Sequence, residues 1–386
     1  MTIQIDKEYL ESTLVNLVQI NSVNPSLVHD GPGEKKIADY TAKSLTQIGL
    51  EVSVLESTPG RPTIVGVLPG GGGRSLMLNA HYDTVGIANM VDPLSGAVRQ
   101  GRLYGRGAYD MKSGLAANMA AVKAIVDTNI VPSGDLIIAA VADEEYTSIG
   151  TIEVIDQFST DAAVVTEPTQ LKICLAHKGF IWLNVDVQGR AAHGSRYDLG
   201  LDANMRMGRF LVELEKLECS LRSQPGHRLV GPPSLHAAIL RGGDELSAYA
   251  ARCRLQVERR TVPGETEDQV VAELQRIIDE LSTIDETFSA TVNAFFVRNP
   301  FETTPRSEIF RTLSDSAAQV LGYGPSIVGE MPWMDSSLLA EAGIDTVVIG
   351  SAGAGAHAHE EWVDLESVST LALILAQTAL NYGNQG

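Results

Sequence analysis

Apolar residues recur at Leu10, Leu14, Leu17 and Val18 within DKEYLESTLVNLVQI (6–20), the spacing of one helix face. The period then changes. RPTIVGVLP and RSLMLNAHYD read as strands on either side of a glycine-rich turn, GGGGR. MKSGLAANMAAVKAIVD (111–127) is alanine-rich and reads as a helix, while DLIIAAVADEE (135–145) and DAAVVTEPT are apolar runs that end in acids. Strands alternating with helices predict an α/β domain with a mostly parallel sheet flanked by helices. In such sheets ligands bind beyond the carboxyl ends of the strands, where these runs place their polar residues.

A second pattern begins near residue 177. HKGFIWLNVDVQGRAAHGS reads as strand, turn and loop, LDANMRMGRFLVELEKLE (201–218) as an amphipathic helix, and SLHAAILRGG and ARCRLQVERRTV as strands. TEDQVVAELQRIIDELS repeats apolar residues at 270, 271, 274, 277, 278 and 281, a helical stripe, and TFSATVNAFFV is a further strand. The order β–α–β–β–α–β predicts a ferredoxin-like α+β block. SEIFRTLSDSAAQVLG then returns to helix, and DTVVIGSAG to a buried strand ending in glycines. The expected organisation is one α/β domain over 1–176 and 293–386, interrupted by an inserted α+β domain over 177–292. No internal repeat or low-complexity tract is present.

The 386 residues suffice for a sizeable core. A net charge of −19 argues against nucleic acid or an anionic membrane as a partner. Cys174, Cys219 and Cys253 are far apart and form no CxxC pair, so they read as reduced core residues of a cytoplasmic protein. MTIQIDKEYLES lacks a positive region followed by an apolar run, so no signal peptide is expected. No window reaches the roughly 18 uninterrupted apolar residues of a membrane span.

In LNAHYDTV, His81 and Asp83 stand two apart and would share one face of an extended strand. By themselves they fit a surface hydrogen bond or half of a metal site. Other strand ends carry Asp110 in GRGAYDMKSG, Glu144 and Glu145 in ADEEYTS, Glu167 in VVTEPT, and His357 and His359 in AGAHAHEEWV. Carboxylates converging on one edge repel one another unless a cation sits between them. Imidazole and carboxylate ligands suit zinc, manganese or cobalt. The ligands suffice for two ions, and a shared aspartate can bridge two ions about 3.5–4 Å apart. A Glu-Glu pair alone reads as a solvated turn. After this apolar run the two point opposite ways along a strand, so that one can bind metal while its neighbour faces water. Other chemistry finds no support: GGGGRS lacks the lysine of a phosphate loop, GRGAYDMKSG is not GxGxxG, and no serine sits in GxSxG.

NAHYDTV, GRGAYDMKSG, ADEEYTSIGT, TEPT, HKGFIWLNVDVQGRAAHGS, ERRTVPGET and HAHEEWV together resemble a known family, in its order and approximate spacing over nearly the whole chain. It is the di-zinc aminoacylase, acetylornithine deacetylase, succinyl-diaminopimelate desuccinylase and glutamate carboxypeptidase family. The resemblance implies a zinc-exopeptidase-like catalytic domain and an inserted dimerisation and lid domain, hence a homodimer. It implies His81, Asp110 and Glu167 on a first metal, and Asp110, Glu145 and His357 on a second, with His359 the competing histidine. Asp83 would orient His81, and Glu144 would be the general base toward a metal-bridging water that attacks an amide. His193 would stabilise the oxyanion in the partner's site, Arg260 would grip a substrate carboxylate, and Asp335 is a candidate either for supporting a site residue from behind or for contacting substrate. GGDELSAYAARCRLQVERRTVPGE looks most like acetylornithine deacetylases and aminoacylases, which implies an N-acyl amino acid substrate. Desuccinylase, carboxypeptidase or dipeptidase, and xenobiotic amidase chemistry stay open on the same scaffold, and the non-enzyme alternative is an inactive metal-binding dimerisation protein.

Overall fold

A computed structural model describes residues 3–383. The chain divides into two compact units, one taking in the chain to Leu175, Thr303–Val328 and the chain from Met334, the other Ala176–Glu302 and Gly329–Trp333. The second unit runs past 292 because Ser289–Arg298 is an edge strand of its sheet.

The sheet of the first unit runs in the order Glu51–Leu55, Thr63–Leu68, Leu136–Val141, Leu76–His81, Ala162–Val165, Asp345–Val348, Ile173–His177. The four central strands are mutually parallel, and the flanking pairings are antiparallel. The central strands are buried from end to end except at Asp345, as continuous apolar runs covered on both faces should be. Helix Lys112–Asp127 supplies much of the cover, with thirteen of its residues buried, most of them small. Among the described residues no helix is long and apolar enough to cross a membrane.

Register decides what this sheet presents. His81 stands opposite Val141, and Asn79 opposite Val165. The strands share one direction, so the residues that follow His81, Val141 and Val165 leave the sheet at the same edge. A small antiparallel sheet adds a fourth approach: Trp362 pairs with Tyr104 and Ala354 with Trp362. It ties the 354–361 loop beside the 105–110 loop, and the N–H of Gly105 donates to the carbonyl of Glu361.

The second unit is a four-stranded antiparallel sheet in the order Ser234–Gly242, Arg252–Thr261, Gly179–Gln188, Ser289–Arg298. Helices Ala203–Ser223 and Glu267–Ile284 cover one face, where Ile181, Leu183, Val185 and Val187 meet Phe210 and Leu274 in one core. Period-two alternation along Gly179–Gln188 turns Phe180, Trp182 and Asn184 to the other face. Cys174 and Cys253 are buried and not disulfide-bonded, as expected of reduced core residues, but Cys219 is exposed. It lies on a helix with only one buried stripe, and its position falls outside that stripe.

Candidate metal centre

Each polar residue at the shared edge of the first unit's sheet is placed by a local device. His81 is the last residue of its strand, and its Nδ1 lies 3.1 Å from the Asp83 carbonyl oxygen and 3.5 Å from Asp83 Oδ1. This leaves Nε2 facing the acids. Nε2 stands 3.3 Å from Asp110 Oδ1, 3.5 Å from Glu167 Oε1 and 3.9 Å from Glu144 Oε2. The other oxygen of Asp110, Oδ2, is 3.4 Å from His357 Nε2, which is 3.1 Å from Glu145 Oε2. Asp110 therefore stands between two imidazoles, one on each oxygen. His359 is not in this group; it lines a cavity of about 320 Å³ with Met90, Asp92 and Glu361.

Glu144 and Glu145 do not sit on a strand, contrary to the expectation of alternating strand residues. The strand ends at Val141, and Asp143 adopts φ +69°, with its carbonyl accepting the N–H groups of Tyr146, Thr147 and Ser148. This turn lets both glutamates reach the same centre. The Asp83 carboxylate accepts both of their backbone N–H groups, and Asn24 Nδ2 donates to Asp83 at 2.8 Å and to Asp143 at 3.0 Å. Arg61 completes the support: it donates to both oxygens of Glu34 and, at 2.6 Å, to Asp143 Oδ1.

Two glycines admit Glu167. A Cβ on Gly350 would lie 1.9 Å from the Glu167 carbonyl oxygen, and one on Gly114 would lie 2.4 Å from that of Thr166. Glu361 positions the Asp110 loop. It is buried, accepts the N–H groups of Gly107, Tyr109 and Asp110, and receives Arg106 at 2.6 Å. His357 is held at φ +60°, a region in which histidine is enriched among non-glycine residues.

The charges of these groups conflict. Burial pushes the carboxyls of Glu144 and Glu167 well above the usual range against the pull of His81; repulsion from Glu167, Asp335 and Glu145 adds to it at Glu144, and repulsion from Asp110, Glu145 and Asp335 at Glu167. Glu145 is raised by burial against its hydrogen bond to His357. Hydrogen bonds from His357 and His81 hold Asp110 well below the usual range despite its burial. Burial works against a charged His81 ring, yet the charge of Glu167 and the bonds to Asp110 and Asp83 raise its pKa well above normal. Among the described residues, the ion-pair partners of Asp110, Glu144, Glu145 and Glu167 are these two histidines alone.

That donor set fits a divalent cation. Two ligands at about 2.1 Å from one tetrahedral ion lie about 3.4 Å apart, and the separations around His81 and His357 fall near this value. His81, Glu144 and Glu167 form one group with metal-ligand spacing; His81, Asp110 and Glu145 form another.

Asp335 is buried and accepts from Thr151 Oγ1 at 2.6 Å. Its pKa is raised to about 6, first by burial. His193 and Arg260 belong to the second unit. His193 is exposed, with Nδ1 2.8 Å from Ser195 Oγ. Arg260 is part-exposed and donates through Nε to Glu258, whereas Arg259 is fully buried and pairs with Glu265. The sequence pattern does not single out Asn24, Arg61, Arg106, Asp143 or Glu361. Arg106 and Asp143 lie inside the quoted motifs, which was the available signal.

A family model for peptidase family M20/M25/M40 matches residues 77–381. The N-formyl-4-amino-5-aminomethyl-2-methylpyrimidine deformylase of Bacillus subtilis is 28% identical over 86% of this chain and 85% of its own. The acetylornithine deacetylase of Myxococcus xanthus is 28% identical over 97% of both chains. A tripeptidase from Staphylococcus aureus shares the fold with a TM-score of 0.78 at 20% identity, covering 99% of this chain and 100% of its own. The chain belongs to peptidase family M20/M25/M40 and is a metal-dependent hydrolase of amide or peptide bonds.

Proposed function

We propose that this protein removes the acyl group from an N-acyl amino acid, as an acetylornithine deacetylase does, and that it works with two divalent ions, zinc before cobalt or manganese. The single observation that carries the reading is Asp110, with an imidazole on each carboxylate oxygen. His81, Asp110 and Glu167 would hold one ion, and Asp110, Glu145 and His357 the other. Ions held there supply Lewis acidity, which polarises an amide carbonyl and makes water more acidic.

Glu144 is the general base. Its backbone N–H is fixed by Asp83 and its carboxylate lies beside His81, which supports a role in taking a proton at this centre. It accepts the proton of the attacking water and delivers it to the leaving nitrogen. Arg260 is the grip for the substrate carboxylate. The second unit acts in dimerisation and closure, and His193 serves the oxyanion of the partner's site. The resemblance to acetylornithine deacetylases and aminoacylases supports the deacetylase reading.

The test is amine release from N-acetyl-ornithine, other N-acetyl amino acids, N-succinyl-diaminopimelate, short peptides and an N-formyl aminomethylpyrimidine, each with added zinc and with chelator. Chelator-sensitive release from N-acetyl amino acids is the expected result. Silence on these substrates from protein shown to carry its metals would overturn the reading.

A further inference from the structure

The open face of the second unit's sheet carries a feature that the hydrolytic centre does not account for. Two strands flanking the Trp182–Glu258 pair are bulged at the same level. Val257 opposes Ala237 and Gln256 opposes Ile239, so Ala238 is an extra residue; Leu183 opposes Ala294 and Trp182 opposes Phe296, so Phe295 is another. In an unbroken strand Phe295 and Phe296 would point to opposite faces. The bulge instead sets both rings against Trp182, with centroids 6.1 and 5.1 Å away. Bulges that re-aim side chains gather next to functional sites.

The two extra residues line one cavity. It measures about 340 Å³ and is bounded by Trp182, Ala238, Ile239, Gln256, Glu258 and Phe295. Phe295 and Ile239 stay 46% and 44% exposed, so apolar surface is left open on a face with no helix over it. The indole N–H of Trp182 donates to Glu258 at 2.8 Å, which fixes the ring. One strand repeat further on, Arg260 lies over the Phe180 ring at 5.2 Å and donates through Nε to Glu258 at 2.6 Å. Its two terminal nitrogens make no hydrogen bond among the described residues, which leaves a forked pair of donors for a carboxylate. A two-residue strand repeat spans about 6.6 Å, close to the reach from a phenyl ring to the carboxylate of an arylalkanoic acid.

We propose that the two bulged strands build a binding site for an aromatic carboxylate, with its planar ring against Trp182 and Phe295 and its carboxylate on Arg260. The substrate is accordingly an N-acyl amino acid that bears an aromatic ring, in its acyl half or its amino-acid half; this last step rests on the reading of Arg260 as the substrate grip.

The experiment uses the metal-loaded full chain carrying Trp333→Phe and Trp362→Phe, which leaves Trp182 as the one tryptophan of three. Its fluorescence is titrated with 3-phenylpropionate and, as an aliphatic control, hexanoate. The expected result is a saturable change, with hexanoate weaker by about tenfold, and affinity lowered about tenfold by Phe295→Ala and by Arg260→Gln. A response that is not saturable, is equal for hexanoate, or is unmoved by Phe295→Ala overturns the site. A change that follows protein concentration instead of ligand, with sedimentation showing this face covered by a second copy, also overturns it. Because 3-phenylpropionate has no amide bond, its binding is read independently of turnover. On substrates, N-acetyl-phenylalanine or N-benzoylglycine should exceed N-acetyl-ornithine in kcat/KM by about tenfold, with Phe295→Ala raising KM and sparing kcat. A preference for N-acetyl-ornithine overturns the substrate assignment. Binding without turnover of any amide overturns the proposed hydrolysis and leaves the ring site standing.

Discussion

The Asp83 carboxylate accepts the backbone N–H of Glu144 at 3.1 Å. Its second oxygen accepts from Glu145, and its first lies 3.5 Å from His81 Nδ1, so one buried acid aligns an imidazole and two glutamates. Asp83→Ala should therefore weaken metal binding by about 10–100-fold, the usual cost of removing an outer-shell partner. Competition against a chelating dye measures it, and an unchanged affinity would show that Asp83 is dispensable.

Glu144→Gln keeps the size and the backbone contact of the residue but removes the base. Metal content should stay at the wild-type level while kcat falls by about 10²–10⁴. A variant that turns over at the wild-type rate would assign the proton transfer elsewhere.

Glu361 makes four contacts to the 106–110 segment, one of them to Arg106. Glu361→Ala leaves the buried Arg106 without its counter-charge, which costs about 3–5 kcal/mol. Urea unfolding should register that loss together with weaker metal binding. A loss under about 1 kcal/mol, the size of an exposed pair, would mean that the ion pair contributes little.

Gly350→Ala would press a Cβ onto the Glu167 carbonyl oxygen at 1.9 Å. The backbone of Glu167 has to move, so metal stoichiometry should drop while the circular dichroism of the fold persists. Full metal content in this variant would show that the close approach is not what places Glu167.

Hydrogen bonds to Asp110 and Glu145 raise the His357 pKa to about 10 in the metal-free protein. The ring therefore carries a proton at pH 7 that a cation must displace. The sign follows: proton competition weakens metal binding as pH falls and eases as pH rises toward 10. Calorimetry at pH 7 in buffers of different ionisation heat should find about one or more protons released per protein. Zero release would contradict a protonated His357.

Much of this protein is determined by sequence alone. Apolar runs ending in His81, Glu145 and Glu167 specify buried strands with polar ends, because a strand covered on both faces needs an unbroken apolar stretch and a polar exit. The β–α–β–β–α–β order of the second unit follows from periods of two and 3.6, which are local properties of the chain. The tertiary structure alone decided the rest. Asp110 and His357 meet because Trp362 pairs with Tyr104, a contact between segments far apart in sequence that no local period encodes. Glu144 and Glu145 share one centre because Asp143 turns left-handed, where strand alternation would have separated them. Glu361 is a support and not a bystander because burial brings three backbone N–H groups and a guanidinium onto its carboxylate. Phe295 and Phe296 both reach Trp182 because one residue is left over in the pairing, and a bulge is a property of register between strands, which a single strand does not carry.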